Sequence, residues 1–204
     1  MYQYFHSKIF KKIAFNSLII IGLSLFAISC QNDTPSREIG IQAQNNGQKT
    51  TFFDLKGYFK TEIDRLKTDV KKVKKTVTLN GKSEEKVLEN LNFDEELAPF
   101  IASDINRPAW SDNYMVKITP LGNHGSISEY YALKDHLKTR SIVVNDPMSK
   151  VDMTIDILNA DETVATKAET RLHYDNHLGY SIFTIQKLMG ASDTVKVDVL
   201  FLQN

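Results

Sequence analysis

The residue types best able to do chemistry gather in DINRPAWSDNY, residues 104–114, where Asp104, Asn106, Arg107, Trp110 and Asp112 lie close together. Arginine offers a planar fork for carboxylate or phosphate and tryptophan a stacking plate, so the stretch is a candidate polar-ligand loop. It also reads as a helix C-terminus, pinned by Arg–Asp pairing and tryptophan burial, with polar groups capping the helix carbonyls. The structural reading is the stronger, because short loop motifs often match by chance. His173 and His177 stand four apart, a spacing that presents two imidazoles to a metal on a helix. The pattern around them predicts a hairpin turn, so no metal site is assigned. His124 and Ser126 are near neighbours without the G-x-S-x-G elbow, and neither a P-loop nor a dinucleotide fingerprint occurs. Asp94, Glu95 and Glu96 fall in the first turn of an expected helix, where the dipole favours acids without any catalytic role. No catalytic residue and no cofactor follow from these stretches, and an enzyme is not expected.

Cys30 is the sole cysteine and stands where an apolar run turns polar, in LFAISCQNDT. It has no internal disulfide partner. Lys8, Lys11 and Lys12 precede the apolar stretch 13–28, which has the tripartite shape of a secretory signal peptide. That run is short against the roughly 20 apolar residues that span a bilayer. Ala27-Ile28-Ser29 suits ordinary signal cleavage, and with Cys30 it resembles the lipobox of bacterial lipoproteins. Ala27 stands where that family usually has leucine. The resemblance implies a lipid-bearing Cys30 after removal of residues 1–29, and two or more acyl chains give stable anchoring.

Residues 30–50 read as lipidated cysteine and flexible tether, rich in Gln, Asn and Gly with almost no apolar periodicity. Cleavage removes three lysines and no acids, leaving 22 basic and 25 acidic residues. A net charge of about −3 offers no footprint for nucleic acid. Residues 51–204 suit a single domain.

What must position the candidate residues is an α+β domain, N-terminal helices packed on a largely antiparallel, meander-like β-sheet. Phe52, Leu55, Phe59, Ile63, Leu66, Val70 and Val73 recur at helical spacing, with Thr51 and Asp54 resembling a capping box. Asn80-Gly81 after Thr76–Leu79 predicts a hairpin, whose return, 82–88, fits helix or edge strand. Asn92 with Glu95 marks a second helix carrying Phe93, Leu97, Phe100, Ile101 and Ile105, ended before Pro108. After Trp110 the period changes to two. Val151, Met153, Ile155 and Ile157 alternate with polar residues, as do Val195, Val197, Val199 and Phe201, and Val164, Ala168, Leu172 and Tyr174 share a face. Turn clusters are expected at 121–125, 145–149, 159–162, 175–179 and 190–193.

The segments FFDLKGYFKTEIDRLK, KKTVTLNG, DINRPAWSDNY and HYDNHLGYSIFTIQK together resemble uncharacterised outer-membrane lipoproteins of Bacteroidota. That resemblance implies an anchored envelope protein at the outer membrane, since Gln31 rather than Asp follows Cys30, and it implies no activity, ligand or catalytic residue. The expected function is a non-enzymatic binding or interaction module, attached to the membrane through its lipid and meeting an envelope protein partner. The alternative is a carrier or sensor of a hydrophobic ligand, held between helix and sheet by Tyr130, Tyr131, Tyr174, Tyr180 and Phe183. Those same rings read more simply as core.

Overall fold

Nine strands form one antiparallel sheet in the order β2-β1-β9-β8-β7-β6-β5-β4-β3. The computed structural model describes residues 52–148, 152–188 and 191–202, all within the unit Gly47–Asn204. The calls on the signal segment, Cys30 and the tether fall outside those residues. The strands are β1 Lys72–Leu79, β2 Lys82–Glu89, β3 Tyr114–Pro120, β4 Gly125–Ala132, β5 Thr139–Pro147, β6 Thr154–Glu162, β7 Thr166–Asp175, β8 Gly179–Leu188 and β9 Ala191–Leu202. From β3 to β9 each strand pairs with the next, and β1 then pairs with β9. The expected meander is therefore present, accompanied by a few helices: α1 Leu55–Asp69, α2 Phe93–Glu96 and α3 Ala98–Ala102.

The helices do not simply precede the sheet, because the β1–β2 hairpin separates α1 from α2 and α3. Asn80 and Gly81 turn that hairpin with φ 48° and φ 81°, the left-handed pair that a two-residue turn requires. The ambiguous return is an edge strand, whose side chains are almost all exposed. Since β2 and β3 are opposite edges, the connection between them must cross the full width of the sheet. It does so over the face that α1 covers. Phe93 of α2 meets Phe201 of β9, Phe100 of α3 meets Tyr174 and Tyr180, and Trp110 ends beside Tyr114 of β3.

Apolar side chains on alternate positions explain why one face is buried. Tyr114, Tyr130, Ile142, Val144, Ile155, Ile157, Leu172, Tyr174, Tyr180 and Val199 point to the helices and are at most 5% exposed. Leu55, Phe59, Ile63 and Leu66 of α1 meet them. The predicted stripe is right in direction and too long as a helix. Asp54 is the N-cap, its carboxylate accepting from Gly57 N–H, and α1 stops at Asp69. Val70 is extended and Val73 belongs to β1, opposite Phe201, because sheet pairing takes those residues from the helix. The second helix breaks at Leu97 with Pro99 just beyond, since proline inside one continuous helix would lose a hydrogen bond and clash with an earlier carbonyl.

Two strand expectations shift, and one turn has no sequence signal. Val164 lies between β6 and β7 and is fully exposed, whereas Leu172 and Tyr174 do share the buried face. Residues 159–162 continue β6 rather than turning, and the turn follows them. The 133–138 turn between β4 and β5 has no glycine, proline or asparagine to announce it.

Gly179 opens β8 with φ +136°, and a Cβ there would lie 1.9 Å from the Val199 carbonyl oxygen. Around Gly81, by contrast, an added Cβ meets nothing within 4 Å. Gly81→Ala should therefore lose only the left-handed penalty of about 1–2 kcal/mol. Gly179→Ala should lose clearly more in urea unfolding, because β8 and β9 must also part.

Candidate functional site

Two carboxylates enter the helix–sheet core at neighbouring points. Glu62 lies on the apolar side of α1 and is 7% exposed. Its carboxylate accepts from Tyr174 Oη at 2.5 Å, from Arg65 Nη2 at 2.6 Å and from Arg65 Nε at 3.0 Å. Arg65 Nη2 also donates to the Asn176 carbonyl, 2.7 Å away in the β7–β8 turn. Glu96, the last residue of α2, accepts from Tyr180 Oη at 2.8 Å and from Lys75 Nζ of β1 at 2.5 Å. Tyr174 and Tyr180 face each other across β7 and β8, so one cross-strand tyrosine pair receives a carboxylate from each of two helices. A buried carboxylate needs such company, since a lone one would be strongly disfavoured.

Both phenols are held well above the ordinary tyrosine range, first by burial and then by the neighbouring carboxylate. Burial and Glu62 raise Tyr58 in the same way, and burial pushes Tyr114 up to about 12. Protonated tyrosines locked onto carboxylates are hydrogen-bond donors, and here they fasten layers together. Phe59 centres the packing, its ring 4.9 Å from Phe100 and 5.1 Å from Tyr174. Phe52 sits edge-on to Tyr114 and Tyr130, both at 5.8 Å. Of the aromatics considered for a cavity, Tyr130, Tyr174 and Tyr180 belong to this core, whereas Tyr131 and Phe183 belong to the opposite face of the sheet.

The loop at 104–112 is divided among separate tasks. Asp104 Oδ2 accepts from Lys56 N–H at 2.9 Å, filling an orphan donor at the start of α1. Asp104 Oδ1 accepts from Asn106 N–H, and Asn106 Nδ2 donates to the Phe53 carbonyl. Arg107 stacks 4.3 Å over Trp110 instead of pairing with an aspartate, a cation–π contact at an exposed site. Trp110 is half-buried, and Asp112 is exposed. The loop thus caps another helix's N-terminus, where a carboxylate is favoured. No convergent ligand site arises from these five residues.

The remaining chemical candidates also disperse. His173 Nδ1 lies 2.7 Å from Asp156 Oδ1 on the outer sheet face, while His177 is in the following turn. His124 ends a short 3-10 turn, Gly122–His124. Asp94 pairs with Lys67 at 2.6 Å on the surface. Among the described residues no group of three His, Asp, Glu or Cys is placed to hold a metal, and no helix is long and apolar enough to cross a membrane.

Sequence reasoning missed Glu62, although the signal is visible: a charged residue between Phe59 and Ile63 on the buried stripe, with Arg65 three positions on. It also missed the polar cluster of Ser103, Thr139 and Asn159, in which Asn159 Nδ2 donates to Ser103 Oγ and Thr139 Oγ1 to the Ser103 carbonyl. Nothing in the spacing of those residues announces a meeting.

The outer face of β5–β9 carries an open depression. Two cross-strand rows line a depression of about 440 Å³. One row runs Lys196–Phe183–Arg171–Leu158–Ser141, the other Ser181–His173–Asp156–Val143. Its charges are already engaged, Arg171 by Glu169 at 2.8 Å, Lys196 by Asp198 at 2.9 Å and His173 by Asp156. No family model, curated protein or solved structure matches this chain.

Removing one phenol hydroxyl from the tyrosine pair should weaken the fold by roughly 1.5–3 kcal/mol, the usual worth of a hydrogen bond to a charged group. Tyr174→Phe and Tyr180→Phe, measured by urea unfolding, should each show it. The folded phenols keep protons that unfolded tyrosines release near pH 10, so stability should fall as pH rises above about 10. The fall should be shallower in the double Phe variant.

Proposed function

We propose that this chain is a lipid-anchored envelope protein whose domain binds a partner without catalysis of its own, and that it binds through the outer face of β5–β9. One observation carries the second part: the inner face is occupied by helices fastened through Tyr174 and Tyr180, whereas the outer face presents an open, lined depression. The fold in this reading is an α+β domain in which the helical layer closes only one side of the sheet. The lipoprotein resemblance at Cys30 and the likeness to outer-membrane lipoproteins of Bacteroidota support the anchoring.

Carriage of a hydrophobic molecule between helix and sheet has less support. That space holds Phe59, Phe100 and Tyr174 at ring-contact distances, with no room left among them for an acyl chain. The protein's business is then with something that lands on a surface.

Two measurements test these parts separately. Cys30→Ser, expressed in a native-like host, should release the protein from membranes; retention at the wild-type level would refute the lipid anchor. A photo-crosslinking residue in place of Ser181 should give adducts in intact envelopes, whereas the same residue in place of Lys60 on exposed α1, or Glu84 on β2, should give none. Adducts at Lys60 or Glu84 alone would move the binding face elsewhere.

A further inference from the structure

We infer that the depression on β5–β9 takes a neutral oligosaccharide, a deduction that rests on the outer-face reading above and names its ligand class. The volume, about 440 Å³, falls within the usual range of small-molecule sites. Its lining combines an apolar strip with a parallel polar one. Phe183, between the stems of Lys196 and Arg171, and Leu158, on the other side of Arg171, provide the first. Ser181, His173 and Asp156 provide the second. This polar row lies two residues further along each strand, roughly 7 Å away.

A sugar ring has the matching shape, an apolar C–H face and a hydroxyl edge. Its C–H face would lie on Phe183, and its hydroxyls would reach the polar row. The register makes the site repetitive: a chain of rings lying across the strands meets a new pair of side chains at each spacing of about 4.8 Å. Ser141 and Ser181 are small, which leaves the depression its room.

The charges here offer no surplus of one sign to a charged ligand. An anionic ligand would find Arg171 and Lys196 already paired with Glu169 and Asp198. It would also meet Asp156, whose carboxylate already faces His173. A lipid tail would lie in the open beside two ion pairs and the His173–Asp156 hydrogen bond. A hydroxyl, however, donates to a carboxylate and accepts from a guanidinium or ammonium at once. It can therefore join an existing ion pair without displacing either member. A ligand made of hydroxyls is the one that balanced, already satisfied charges favour.

The test is isothermal titration of the full chain in detergent with maltohexaose, cellohexaose, xylohexaose and mannohexaose, beside a sulfated heparin hexasaccharide. At least one neutral hexasaccharide should bind with a Kd below about 1 mM. Phe183→Ala should weaken that binding at least tenfold while leaving the circular dichroism and melting temperature near those of the parent, and Lys60→Ala should leave it unchanged. Binding should hold as salt rises from about 50 to about 500 mM, where charge-driven contacts fade. The inference is overturned if no neutral hexasaccharide binds, if Phe183→Ala binds as well as the parent, or if only the sulfated sugar binds and loses affinity with salt. If glycans fail while crosslinking at Ser181 still captures a protein, the ligand class is wrong and the outer face stands. If both fail, both readings fall.

Discussion

A carboxylate sits where packing asks for a hydrocarbon: Glu62, on the buried side of α1, between Phe59 and Ile63. Desolvating that charge is tolerable only because Arg65 forks onto it and Tyr174 donates to it. Its cross-strand neighbour Tyr180 donates to Glu96, which also accepts from Lys75. Phe100, which touches both tyrosine rings, couples the two clusters through packing. Hydrogen-bond direction and ring packing therefore select one placement of the helices on the sheet, where hydrophobic burial alone would accept several.

The topology explains why fastening is needed at these points. A strand order that begins with β2 and ends with β3 forces one connection across the whole sheet, and its helices are very short. Helices of one turn have little stability of their own. They depend on anchors: Phe93 on β9, Glu96 on β1 and β8, Phe100 on β7 and β8, Ser103 over β5 and β6, Trp110 at β3. That commitment uses up the inner face. Among the described residues no helix covers the outer face of β5–β9, which mixes charged, polar and single apolar side chains.

The sequence disclosed what depends on local pattern. The α1 stripe, the Asn80-Gly81 hairpin and the alternation of β6, β7 and β9 are all legible, because period and turn chemistry are local. Boundaries were less so: Val70 and Val73 keep the helical spacing yet pair into the sheet, and Pro99 breaks a helix whose apolar positions run on. The expected Arg–Asp pairing in the loop does not form: Arg107 stacks on Trp110, and Asp104 caps α1, a partner 48 residues away. The outer-face site was illegible for the same reason. Phe183, Arg171, Leu158 and Ser141 become neighbours only through the register of four strands, which no single stretch encodes.

The inner face is closed, with α1 fixed to the sheet through Glu62 and Tyr174. Native-state hydrogen exchange of the α1 amides tests this most directly. Those between Phe59 and Leu66 should exchange only through global unfolding, with the same free energy and denaturant dependence as the central amides of β7 and β8. If α1 exchanges through a cheaper opening while β7 and β8 stay protected, the helix lifts from the sheet, the inner face is accessible, and the central claim fails.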